Sequence, residues 1–235
     1  MNEPERRGHP LGELIAAAAD GRFPEVDGGW ERVRPWRPGL EAVVAFTGHA
    51  VLAVSDDVPD ARLEALGADG FGGAHDPRLM TALAGPDAWI DVLDVLLVAR
   101  GRGSAAHPSG LVARPDLAGH PRVLHAAAVR DDVEVWGHAD PMRSAVAILA
   151  RGIGGLRELS FEIEPARRKG TGAALIEDAL RVVPWGELVV AAAAPGNAAS
   201  LRALLRAGFT PVGSVQLFRR SGPSGPGDAY VRRQE

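Results

Sequence analysis

Hydrophobic and polar positions in the second half of the chain change period in a fixed order. Residues 132–136, 145–150 and 156–163 form strand-length apolar or alternating runs, separated by turn residues at 137–141 and 152–155, and predict a three-strand meander. From residue 172 the period lengthens. Ala174, Leu175, Ala179, Leu180 and Val183 share one stripe, which predicts a helix over 172–182. Residues 188–194 are apolar without interruption, as expected of a strand covered on both faces. Pro195-Gly196-Asn197 turns that run into a second helix over 198–207, stopped by Gly208, and 212–219 forms a final strand. Before the meander, Pro121 opens a short helix over 121–130, with Val123, Leu124 and Ala127 as its apolar positions.

The first half is less regular. A helix is predicted over 11–19, and the polar, glycine-bearing stretch 20–39, with Trp30 and Trp36, reads as a wrapping segment. Residues 43–46 and 50–54 suit two strands joined at Thr47-Gly48-His49. Helices follow at 60–66 and 76–83, the second opened by Asp76-Pro77. Residues 89–99 read as one buried strand that stops at Arg100-Gly101-Arg102-Gly103, and 101–115 is the best internal linker. This organisation predicts an α/β region at 1–115, a second domain at 116–220 and a mobile tail at 221–235.

Composition narrows the class. With 46% hydrophobic and 24% charged residues over 235 positions, a sizeable core is affordable. A net charge of -4 without any basic block argues against nucleic acid as a partner. Cysteine is absent, which removes disulfides, thiolate metal sites and a cysteine nucleophile. His9, His107 and His120 each precede a proline, and no histidine pair has the i, i+4 spacing of a helical metal site, so no metal is expected. Residues 1–21 are too acidic for a secretory signal, and no run reaches the twenty or so apolar residues of a spanning helix. A soluble, cytoplasmic protein without membrane association is the expectation.

Chemistry concentrates between the last meander strand and the helix after it. Arg167-Arg168-Lys169-Gly170-Thr171-Gly172 combines glycines, which let backbone N–H groups approach an anion, with basic side chains and a helix N-terminus. That set suits a pyrophosphate, although a tight strand-to-helix turn beside a solvated basic cluster would have the same sequence. It is neither a Walker A loop nor a dinucleotide fingerprint. On the strand over 156–163, Glu158, Ser160 and Glu162 share one face and Leu159, Phe161 and Ile163 the other. His75-Asp76, after Gly70-Phe71-Gly72-Gly73, marks either a pocket-forming loop or a capped helix with a flexible entry.

The spacing Arg167-x-x-Gly170-x-Gly172, followed by Asn197-Ala198-Ala199-Ser200-Leu201 and then Gly208-Phe209, resembles the acyl-CoA-binding motifs of the GNAT N-acetyltransferase superfamily over about residues 120–220. The resemblance implies a GNAT-type α/β fold of the α+β kind: a mixed, mostly antiparallel central sheet flanked by helices, here with an extra N-terminal α/β region. It implies acetyl-CoA as cosubstrate, with Arg167, Arg168, Lys169, Gly170, Thr171 and Gly172 on the pyrophosphate and Asn197 and Ser200 on the same molecule. The pantetheine arm would lie between the strands at 156–163 and 188–194, where splayed parallel strands leave backbone groups for an amide-bearing ligand. The acceptor would be a primary amine on a small molecule, attacking directly in a ternary complex; a homodimer is compatible with this reading. The family often places a glutamate base on this strand, which makes Glu158 the first choice and Glu162 the second.

Two features depart from the family pattern. Only Ala166 separates Pro165 from Arg167, and Leu204 stands where many members carry a tyrosine that protonates the leaving thiolate. The chain's one tyrosine is Tyr230. A non-catalytic CoA-binding or protein-interaction module on the same fold is therefore the alternative. Residues 67–72 echo the Arg-x-x-Gly-x-Gly spacing without its basic residues, which would fit a degenerate acetyltransferase-like N-terminal half.

Overall fold

The computed structural model describes residues 8–140, 142–163 and 171–220. In chain order these form α1 (Pro10–Ala19), β1 (Trp30–Val33), β2 (Glu41–Phe46), β3 (His49–Ala53), α2 (Asp60–Ala65), α3 (Pro77–Ala84), β4 (Trp89–Ile90), β5 (Asp94–Arg100), β6 (Leu111–Ala113), α4 (Pro121–Val129), β7 (Asp131–His138), β8 (Val146–Arg151), β9 (Arg157–Glu162), α5 (Thr171–Val182), β10 (Leu188–Ala193), α6 (Ala198–Arg206) and β11 (Thr210–Arg219). The chain divides into two compact units, residues 1–22 with 95–212 and residues 23–94 with 213–235.

In the first unit, β6, β7, β8 and β9 pair antiparallel in sequence order. β9 then pairs parallel with β10, and β10 antiparallel with β5. The sheet is therefore mixed and mostly antiparallel. Leu159, Val189 and Ala191 on one face meet Leu175, Ile176, Ala179 and Leu180 of α5 and Leu204 of α6 in the main core. On the other face, Val146 and Ile148 of β8 pack with Val123 and Ala126 of α4. Helix α1 opens with the His9 imidazole accepting the Leu11 N–H at 3.2 Å, and buries Leu11, Ile15 and Ala18 at helical spacing. It lies so close to the turn before β9 that a Cβ on Gly12 would stand 2.5 Å from the Gly154 carbonyl oxygen.

The boundary expected near residue 115 is not where the units part. β5, on the N-terminal side of the glycine-rich stretch, is hydrogen-bonded along β10 from Val95↔Ala193 to Arg100↔Leu188, and this pairing fixes it in the first unit. The stretch itself is not featureless: Leu111–Ala113 pairs with β7. The predicted single strand over 89–99 is two, β4 and β5, interrupted at Asp91-Val92-Leu93, where Val92 is exposed. The tail at 221–235 lies outside the described residues.

In the second unit, β1 pairs parallel with β3, β3 antiparallel with β2, and β2 antiparallel with β11, which also takes β4. α2 and α3 supply Leu63, Leu79, Met80 and Leu83 to a core with Val43, Leu52 and Phe218. β1 lies inside the stretch read as a wrapping segment. The Arg32 guanidinium secures it by donating to the Ser55 and Val58 carbonyls and to Asp60.

His75 precedes α3 and is held by a 3.0 Å hydrogen bond between its Nε2 and the Ser214 hydroxyl. Burial lowers its pKa from 6.5 to about 4. The unfolded chain then binds the proton more readily than the folded one, so stability falls as pH drops through the window from 6.5 towards 4. Replacing this side chain in His75→Gln removes its contribution, and urea midpoints measured between pH 7 and 4 should decline less steeply in the variant than in the wild type.

Candidate active site

β9 and β10 form the only parallel pair in the described sheet of the first unit, and their register is short: Arg157 with Val189, and Glu158 with Val190. Beyond it each strand keeps its other neighbour. β9 stays paired with β8 as far as Glu162, and β10 with β5 as far as Ala193. The two strands therefore diverge, and the facing backbone edges of Leu159–Glu162 and Ala191–Ala193 have no strand between them.

At this end lies a cleft of about 400 Å³ lined by Phe161, Glu162 and Ile163 of the β9 end, Gly172 and Ala173 of α5, Asn197, Ala199, Ser200, Ala203 and Arg206 of α6 and its cap, and Arg122 of α4. The first turns of two helices thus face it, bringing the positive ends of two helix dipoles. The Asn197 carboxamide oxygen accepts the Ser200 N–H at 3.1 Å, which caps α6 while leaving both residues on the cleft. Gly172 allows the helices to approach: a Cβ there would lie 3.0 Å from the Ala203 Cβ and 3.4 Å from the Ile163 Cδ1.

Of the residues singled out from sequence, Glu162, Gly172, Asn197 and Ser200 meet in this cleft. Thr171 lies beside it, on a neighbouring pocket. Arg167, Arg168, Lys169 and Gly170 lie outside the described residues. Leu204 is buried in the main core, so its helix position points away from the cleft. Arg122, Phe161 and Arg206 were not anticipated. The i, i+4, i+7 set Ala199, Ala203 and Arg206 was legible as one helix face, whereas Arg122 is brought in from α4 by tertiary packing alone.

Glu158 is placed differently from Glu162. Its side chain is 3% exposed and one oxygen accepts from the Arg130 Nη2 at 2.5 Å, with the Arg130 side chain 9% exposed. The other oxygen accepts the Ile153 N–H at 3.1 Å, and the second Arg130 terminal nitrogen donates to the Ser160 hydroxyl at 2.8 Å. The alternation along β9 holds, but its polar face is covered around this ion pair. Gly152 makes room for the carboxylate, since a Cβ there would come within 1.8 Å of a Glu158 oxygen. Glu158 does not line the cleft.

The glycine-rich segment before His75 is closed on itself. The Asp69 carboxylate accepts the N–H groups of Phe71 and Gly73 at 2.7 and 2.8 Å, so a carboxylate already holds donors that an anion would need. No group of three or more metal-ligating side chains occurs among the described residues. No helix among them is long and apolar enough to cross a membrane.

No family model matches the sequence, and no curated protein matches it. Among solved structures the chain is similar to a GNAT-family protein from Novosphingobium aromaticivorans, with 21% identity, a TM-score of 0.39, and coverage of 58% of this chain and 69% of that one. It is similar to a GCN5-related N-acetyltransferase from Kribbella flavida at 16% identity and a TM-score of 0.38, covering 62% and 63% of the two chains. A functionally unknown conserved protein from Staphylococcus epidermidis matches at 14% identity and 0.39, covering 63% and 68%. The likeness is one of outline.

Breaking a buried ion pair from one side leaves an uncompensated charge, at a cost of about 3–5 kcal/mol. Glu158→Gln should therefore destabilise the chain by that order in urea unfolding. Combining it with Arg130→Met should restore much of the loss, because neither charge is then left buried alone.

Proposed function

We propose that this protein is an acyl-CoA-dependent N-acyltransferase of the GNAT type, transferring an acetyl group to a primary amine on a small molecule. The observation that carries the reading is the divergence of β9 and β10 beyond Glu158 and Val190, with a cleft at its mouth faced by two helix N-terminal turns. Open backbone edges suit the amides of a pantetheine arm, which can pair like an added strand. The N-terminal turns of α5 and α6 suit its pyrophosphate. In this reading Thr171, Gly172, Asn197 and Ser200 hold the cosubstrate, together with Arg167, Arg168, Lys169 and Gly170 on the strength of their sequence.

Acyl-CoA supplies the acyl group as a thioester, already activated towards an amine. The chain must orient the amine and accept its proton, since amines are mostly protonated at neutral pH and attack only when neutral. Glu162 is the better placed of the two glutamates, because it lines the cleft while both oxygens of Glu158 are engaged by Arg130 and Ile153. We assign Glu162 as the base and Glu158 to holding the strand. Leu204 offers no proton to the leaving thiolate, and a thiol is acidic enough to leave without one. The cytoplasm, where acyl-CoA is available, is the compartment this reading requires.

The test is melting temperature with CoA, together with thiol release from acetyl-CoA in the presence of a panel of primary amines. A ligand that binds only the folded state adds about 2.7 kcal/mol at a hundredfold excess over its Kd. Ser200→Glu places a carboxylate at the third residue of α6, where it completes a capping box with Asn197 and leaves the fold intact. It should nevertheless abolish the CoA shift by opposing an anion in the cleft. Glu162→Gln should keep the shift and lower kcat by about 10²-fold. A CoA shift without thiol release for any amine would favour the binding module, and no shift at all would sink the reading.

A further inference from the structure

A second pocket of about 350 Å³ lies on the β7–β8 side of the α5 N-terminus. It shares only Ile163 with the cleft described above. His138 ends β7, Arg143 and Ser144 precede β8, and Ile163, Thr171 and Leu175 close it from the β9 end and the first turns of α5. The volume lies at the small end for ligand pockets.

Its polar groups point to one kind of ligand. The Ser144 hydroxyl is buried and has no hydrogen-bond partner among the described residues, a state that proteins rarely leave uncompensated. Arg143 is exposed at the rim and forms no ion pair with a carboxylate among the described residues. Burial, and then the charge of Arg143, hold the His138 imidazole below its ordinary range, against an opposing pull from Asp178 and Asp140. The remaining charges near it are committed elsewhere: Arg181 pairs with Asp178, and Arg114 pairs with Asp116 while donating to the His138 carbonyl. Ile163 and Leu175 give the floor an aliphatic surface.

We propose that this pocket binds a small aliphatic carboxylate, its oxygens taking the Arg143 guanidinium and the Ser144 hydroxyl and its short chain resting on Ile163 and Leu175. A planar carboxylate matches the guanidinium fork, and a short aliphatic chain rests against the Ile163 and Leu175 floor with room to spare. The bound anion stabilises the imidazolium of His138, which burial holds below its ordinary range, so affinity rises as pH falls from about 7 towards 5. Thr171 borders this pocket and is also assigned to the cosubstrate, but the groups that would hold the carboxylate, Arg143 and Ser144, lie outside the cleft, so the site stands whether or not the cleft takes CoA.

The experiment titrates 3-methylbutanoate into the full-length protein by calorimetry, and follows the His138 imidazole by NMR over the same pH range. Saturable binding that raises the His138 pKa, weakens at least tenfold in Arg143→Ala, is unchanged in Ser200→Glu and is not reproduced by 3-methylbutanamide supports the proposal. Three results would overturn it: no saturable binding of the carboxylate, equal binding to Arg143→Ala, or binding of inorganic phosphate in its place. NMR spectra of Arg143→Ala matching the wild type away from the pocket keep a folding defect from counting as support.

Discussion

The Arg130–Glu158 ion pair sits at the branch point of the central sheet. Glu158 is the last residue of β9 in register with β10, and Ser160, two residues on, lies where that pairing has ceased. One guanidinium holds both, while the Glu158 carboxylate also takes the Ile153 N–H from the turn before the strand. A buried pair of this kind adds little net stability over an apolar substitute, yet removal of either partner is costly. Its effect is to fix geometry: the strand is clamped from the α4 side where it leaves its parallel neighbour. Gly152 belongs to the same arrangement, because any side chain there would occupy the carboxylate's position.

That arrangement explains why the sequence was legible in some places and not in others. The meander, α5, β10 and α6 follow their hydrophobic periods, because each buries a face against one continuous core. β1 and β6 carry little periodicity of their own and owe their strand geometry to partners far along the chain. Glu158 and Ser160 alternate as an exposed polar face would, and no local signal distinguishes that face from one buried under an arginine thirty positions away. Nor could local sequence show that β5 belongs with β10, since the glycines after it have the composition of a linker.

Asn197 illustrates how one residue can satisfy both a structural and a functional reading. Its carboxamide oxygen caps α6 through the Ser200 N–H, a sufficient reason for asparagine at that position in any helix. The same cap fixes the first turn whose N–H groups face the cleft. An asparagine motif before a helix therefore carries little functional information alone. It gains meaning here from what it faces, a parallel strand pair that has come apart.

The cleft itself is made largely by omission. Gly172, Ala173, Ala199, Ser200 and Ala203 contribute almost no side chain, so the wall on the helix side is largely backbone at the starts of two helices. Such walls recognise charge and amide geometry rather than side-chain shape, and they are rigid because helix packing sets their spacing. Gly172 shows the constraint from both sides: a Cβ would press on Ala203 and Ile163, so glycine is required for packing as well as for access to the backbone. A glycine substitution there would confound the two roles. A charge added at Ser200, where the helix tolerates and even favours it, separates ligand recognition from folding.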